Sequence, residues 1–264
     1  MLTYSNSFRW LTWLAAVVGI FLPAKFLPAG QWADERTIGP FNCYADFSLE
    51  KYTPLLEAVA GLQQDLTKML RVGKPQSPIE IYLFQDKKSY RRFTMHFFPK
   101  APLRRAMFVK RRSQCMVFAF LSSQLAGDLR HECTHAMLHS SLPFVPIWLD
   151  EGLAEYFELS KRERVYDNPY LRQVKLRRWF GSATKIEQLE RIRQPADMDS
   201  GEYRDSWAWV HFMLHGSEAA HDELVAFLAD IANESPPGQL SERLHRRIPG
   251  LHQTFTQHLK TWKR

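Results

Sequence analysis

Residues 128–158 read DLRHECTHAMLHSSLPFVPIWLDEGLAEYFE. Within them His131, Glu132 and His135 spell HExxH. Residues four apart on an α-helix sit about 40° apart around its axis, so the two imidazoles share a face and can grip one ion. Glu132 lies about 100° round from His131, at the flank of the pair, where it reaches a water rather than the ion itself. Leu125, Ala126, Leu129, Cys133, Ala136 and Met137 form the opposite, apolar stripe, so the helix buries one side and turns the other to a cleft. Pro143 and Pro146 break the chain, and a second helix repeats the division. Its polar stripe is Glu151, Glu155 and Glu158, and its apolar stripe is Leu149, Leu153, Tyr156 and Phe157. Gly152, beside Glu151, leaves room for a neighbouring backbone. Two histidines and a glutamate are the donor set of a catalytic zinc site, whose open fourth position lowers the pKa of a bound water to about 7.

These two helices resemble the gluzincin metallopeptidases, the group that includes thermolysin and the zinc aminopeptidases. The group's HExxH corresponds to His131–His135. Its downstream glutamate, found in a WLxEG or NExxS context, corresponds to Glu151 in Trp148-Leu149-Asp150-Glu151-Gly152. The resemblance implies Zn2+ held by His131, His135 and Glu151, with Glu132 as general base. It implies that Glu155, one turn after the ligand glutamate, orients a ligand histidine. It also implies an oxyanion donor from a later helix, and in YRDSWAWVHFMLH, residues 203–215, the candidates by region are Tyr203 and His211. Two departures stand out. Asp150 occupies a position where aminopeptidases commonly carry asparagine, and the gap between His135 and Glu151 is shorter than theirs. The resemblance covers residues 41–215 in the order of elements and 131–158 in specific motif. The implied function is zinc-dependent hydrolysis of peptide bonds. A second class stays open, a non-catalytic exported or membrane-tethered binding protein that keeps the fold without turnover.

Upstream of the motif, alternation in Phe41–Phe47 predicts a strand, and the spacing of Leu55, Leu56, Val59, Leu62, Leu66, Met69 and Leu70 predicts one helix. Ile79–Phe84 reads as a strand and Lys87–Phe97 as a helix. Ala106–Lys110 and Gln114–Phe120 read as a hairpin that runs into the HExxH helix. The expected fold is α+β: a small mixed sheet lobe over 41–123, then a helical lobe over 124–264, together a zincin-like metallopeptidase domain. In gluzincins the edge strand before the metal helix pairs a peptide substrate by β-addition. Residues 161–200 read as charged and irregular apart from a helical piece near Ile186–Ile192, and the last forty residues as two packing helices.

The first thirty residues carry Arg9 and then Trp10–Leu22, thirteen residues without a charge. That is short for a membrane span and suits either a signal peptide or an uncleaved anchor, so an exported or membrane-held protein is expected. Residues 31–40 read as a linker. Cys43, Cys115 and Cys133 are too few for a disulfide framework and read as buried thiols, although Cys43 and Cys115 could pair in an oxidising compartment. The chain of 264 residues has a net charge of +7, and from Lys87 to Gly127 it holds ten Lys or Arg and no Asp or Glu. Such a field attracts acidic partners. It also lacks the carboxylate by which aminopeptidases hold a free ammonium. The expected partner is therefore a peptide or protein, with acidic substrates favoured and an endopeptidase mode of attack, and no nucleic acid is expected. Contact with anionic lipid beside residues 10–22 is the other reading of the basic run.

Overall fold

The computed structural model describes residues 32–102, 104–177 and 184–262. The segment expected to export or anchor the chain, residues 1–30, lies outside them. Among the described residues no helix is long and apolar enough to cross a membrane.

The first half is a five-stranded mixed sheet with helices on both faces. Strands β1 (Asp34–Ile38), β2 (Phe41–Ala45), β3 (Ile79–Phe84), β4 (Ala106–Arg111) and β5 (Gln114–Phe120) stand in the order β1-β2-β3-β5-β4. The two outer pairs are antiparallel, and β2, β3 and β5 run parallel. Parallel strands need long crossovers, and helices supply them: α1 (Thr53–Ala60) and α2 (Leu62–Leu70) between β2 and β3, then α3 (Lys87–Phe97) before the hairpin. With helices over both faces, β3 and β5 become continuous apolar runs, IEIYLF and QCMVFAF. Ile79, Ile81, Leu83, Val117 and Ala119 face one core with α1, α2 and the HExxH helix. Tyr82, Phe84, Met116 and Phe118 face a second core with Tyr90 and Phe98.

Three expectations change here. Residues 34–38 form a strand, although they read as linker: DERTI has no apolar alternation, because β1 is an edge strand with neither face fully buried. The single helix over 55–70 is divided at Gly61, the residue of lowest helix propensity after proline. The strand just before the HExxH helix, β5, is internal, and on that side of the sheet its hairpin partner β4 is the edge among the described residues.

The second half is helical: α4 (Leu125–Ser141), α5 (Ile147–Phe157), α6 (Pro169–Arg177), α7 (Ile186–Leu189), α8 (Ser200–His215), α9 (Glu218–Ala232), α10 (Leu240–Arg247) and α11 (Leu251–Thr261). The described residues within 161–177 and 184–200 are more ordered than their charge suggested. Glu163–Asp167 makes a π-helical turn, and Tyr170, Leu171 and Val174 of α6 are buried. The α+β class and the order of sheet before helices thus hold. Cys43, Cys115 and Cys133 are buried free thiols, and burial pushes Cys43 up to about 12 and Cys115 to about 11.

Candidate metal centre

The site is built where α4 and α5 lie side by side. Pro146 has φ −56° at the entry to α5, which suits a residue before the first helical turn. Gly152 sets how close the next layer comes: a Cβ there would lie 2.7 Å from the Ser206 carbonyl oxygen and 2.9 Å from Val210 Cγ2 of α8. The backbone of α8 therefore fills the space that glycine leaves beside Glu151.

His131, His135 and Glu151, all buried, bring one donor atom each to a common point. The two Nε2 atoms are 3.3 Å apart, and each lies 3.7 Å from Glu151 Oε2. Bonds of about 2.0–2.1 Å to a tetrahedral zinc place ligand atoms about 3.3–3.4 Å apart. The triangle and its two-imidazole, one-carboxylate chemistry therefore fit that ion, with one face left for water.

The opposite nitrogens of both rings face carboxylates. His135 Nδ1 is 3.0 Å from Asp150 Oδ2, and the same oxygen is 2.9 Å from His139 Nε2. His131 Nδ1 is 3.4 Å from Glu158 Oε2. Glu155 belongs to the same group, with a carboxylate oxygen within 4.8 Å of a His131 ring nitrogen and of Glu158. Glu155 is thus near the ring it was expected to orient, and Asp150 and Glu158 are carboxylates the sequence reading did not assign to that role. His139, one turn beyond His135 on the same face, was the available signal for Asp150. Phe108 of the free edge strand β4 stacks over this row, its ring centroid 6.2 Å from His135 and 5.6 Å from His139.

Electrostatics follow from the crowding of carboxylates. Burial alone would push His131 down, but the carboxylates of Glu151 and Glu158, with Glu155 and Glu132 nearby, hold it well above its ordinary range. For His135 the same burial is overcome by Asp150 and Glu151. Burial raises Glu132 although His131, His135 and Arg104 draw it down. Arg104, just before β4, is pushed down by burial while Glu132, Tyr203 and Glu151 hold it up. Asp150 is held far below the carboxylate range because His135 and His139 outweigh its burial.

The two oxyanion candidates separate. Tyr203, buried in the first turn of α8, interacts electrostatically with Arg104, as do Glu132 and Glu151. His211 is not brought to the site: its Nδ1 is 3.0 Å from His258 Nε2 and its Nε2 is 3.1 Å from the Val165 carbonyl oxygen. Eight residues along α8 carry His211 about 12 Å down the axis from Tyr203 and about 80° round it, to where it meets His258 of α11.

Comparison with known proteins adds one finding. Residues 126–237 match the family described as Protein of unknown function (DUF1570). The matched span holds every residue of the triangle and its flanking carboxylates, and leaves the sheet outside. No curated protein is similar enough to this chain to match it.

Proposed function

We propose that the chain is a zinc-dependent endopeptidase on a zincin-like fold, its ion held by His131, His135 and Glu151. The observation that carries this reading is the triangle of donor atoms with edges of 3.3, 3.7 and 3.7 Å, flanked by Glu132. When bound, zinc supplies Lewis acidity toward a scissile carbonyl and makes water acidic enough to ionise near neutral pH. Glu132 takes the proton of the attacking water and passes it to the leaving amine. A carboxylate raised by burial suits this task, since a base near the working pH both accepts and returns a proton efficiently. Tyr203 and Arg104, which interact with each other while Arg104 also interacts with Glu132 and Glu151, are the candidates to hydrogen-bond the developing oxyanion or the adjoining carbonyl. The free edge of β4, beside the histidines through Phe108, is the place for an extended peptide to pair with backbone groups.

The test is metal analysis and peptidase assay on the same purified sample. One zinc per chain is expected in the triangle, lost in His131→Ala, His135→Ala and Glu151→Ala. Glu132→Gln should keep that zinc and lower turnover by roughly 10²–10⁴-fold, because an amide hydrogen-bonds but takes no proton. Zinc that stays bound in all three ligand variants, or an active Glu132→Gln protein, would sink the reading.

A further inference from the structure

Glu187 on α7, His245 on α10 and His252 on α11 converge from positions 58 and 65 residues apart in the chain. The Nε2 atoms of His245 and His252 lie 2.6 and 3.1 Å from the same Glu187 oxygen, Oε1. One donor atom from each of the three residues lies within 4.8 Å of the other two. The imidazoles meet edge to face with centroids 5.2 Å apart. Glu187 Oε2, the second oxygen, is buried with no hydrogen-bond partner among the described residues. Buried carboxylate oxygens normally have a donor, so this cluster holds more acceptor capacity than its two imidazoles fill.

We propose that Glu187, His245 and His252 form a second divalent-metal site, for zinc or a similar nitrogen-seeking ion such as nickel or copper, that fastens α10 and α11 to α7. Imidazole nitrogen with a single carboxylate is a donor set for borderline metals and a poor one for calcium or magnesium, which require mostly oxygen. The side chains are partly exposed, 32% for Glu187, 43% for His245 and 34% for His252, so an ion can enter and complete its shell with water. To bind the ion through Nε2, a neutral ring moves its single proton from Nε2, where it donates to Glu187, to the outward Nδ1, so the ion takes the place of the Nε2–H contact with no net proton released. The elements joined are those that back the first site. Phe255 of α11 stacks on Trp209 of α8 at 3.8 Å with the rings 4° from parallel, and the Trp209 indole donates to the Thr184 carbonyl just before α7. The site shares no residue with the His131–His135–Glu151 triangle and does not rest on the peptidase reading.

The test uses the full chain, stripped of metal and titrated with zinc chloride by calorimetry, with bound zinc then counted after gel filtration. Wild type is expected to show two binding events, and His245→Asn with His252→Asn to lose one of them while keeping its circular dichroism spectrum and the other event. In His131→Ala with Glu151→Ala the surface event should remain. Excess nickel chloride should raise the melting temperature of wild type by several degrees, and the surface double variant should lose that gain. If the triangle does not bind zinc, wild type shows one event that the surface variant abolishes, so the two readings fail separately. Wild type with no zinc event that the surface substitutions remove, or an unchanged nickel response in the surface variant, overturns the second site.

Discussion

Asp150 shows how a residue read as a departure from a pattern becomes necessary once two helices are side by side. One of its oxygens is 3.0 Å from His135 Nδ1 and 2.9 Å from His139 Nε2. It thereby puts a negative charge against the far side of a proposed ligand ring, the place a carboxylate usually takes behind a metal-bound histidine. Removing such a partner typically weakens metal affinity ten- to a hundredfold, roughly, so Asp150→Ala is expected to fall in that range in a competitive chelator titration. Asp150→Ala binding zinc as tightly as wild type would remove the role. The three residues that meet in the triangle were legible because HExxH and the Glu151 position depend on spacing within single helices. Asp150 and Glu158 were not, because their contacts depend on how α4 and α5 sit against each other. His211 failed for the related reason that a region of a helix does not specify a face.

Among the elements, α3 and the β4–β5 hairpin were legible within a residue of their ends, and the helix pair α4–α5 in its periodicity and breakers. Asp86 caps α3 by accepting from the Lys88 and Ser89 backbone amides, and the charged hairpin tip at 111–113 separates two apolar runs. β1 was hidden because it buries no side chain fully and so imposes no period on a charged sequence. The contact between α5 and α8 was partly legible in Gly152. Adding a methyl there would press on Ser206 and Val210, and overpacking of this kind costs about 1–3 kcal/mol. Gly152→Ala should therefore melt several degrees lower and bind zinc more weakly, since Glu151 adjoins the strained point; an unchanged melting curve would contradict the close approach. The seam between α8 and α11 carries a pH dependence. His215 accepts from the Tyr156 hydroxyl at 2.6 Å or donates to it, and burial, with Arg164 and His221 nearby, pushes it down to about 4. Burial, with His215 nearby, pushes His258 to about 4 as well. Both sit below the unfolded value of about 6.5, so the unfolded chain binds more protons between those values. Stability from this seam is complete above about pH 6.5 and declines as pH falls toward 4, by about 2–4 kcal/mol for the pair after allowing for partial exposure. Denaturant unfolding of wild type against His215→Gln with His258→Gln should show a shallower acid slope in the variant, and equal slopes would remove the assignment.

On the scale of the whole molecule, the basic run that looked uniform in the sequence is distributed over two layers. Lys87, Lys88, Arg91 and Arg92 ride on α3, which covers the face of the sheet opposite α4. Along β4 the charges are partly committed: Arg105 is paired with Asp128 at 2.8 Å, and Lys110 donates to the His139 carbonyl at 2.5 Å. Arg104 interacts electrostatically with Glu132 and Glu151 of the candidate site, and Arg111 and Arg112, at the hairpin tip where β4 ends, are the cations proposed to steer an approaching chain. Interactions between exposed charges are largely screened beyond a Debye length of about 8–10 Å, so the layer matters. The carboxylates that might hold a free ammonium are also engaged, Asp128 by Arg105 and Glu158 by His131. Interior acidic peptides should consequently be cut faster than dipeptide analogues with free amino termini. Arg111→Glu with Arg112→Asn should lower kcat/KM for an acidic peptide, on the order of tenfold at low ionic strength, and flatten its salt dependence. Asparagine is chosen at 112 because that residue has φ 53°, a left-handed conformation asparagine tolerates. Arg91→Glu with Arg92→Glu, on the far layer, should change both quantities much less. Equal losses in the two pairs would replace steering along β4 by a general effect of net charge. Release of single residues from free amino termini, with little dependence on salt, would defeat both the endopeptidase assignment and the role given to the hairpin.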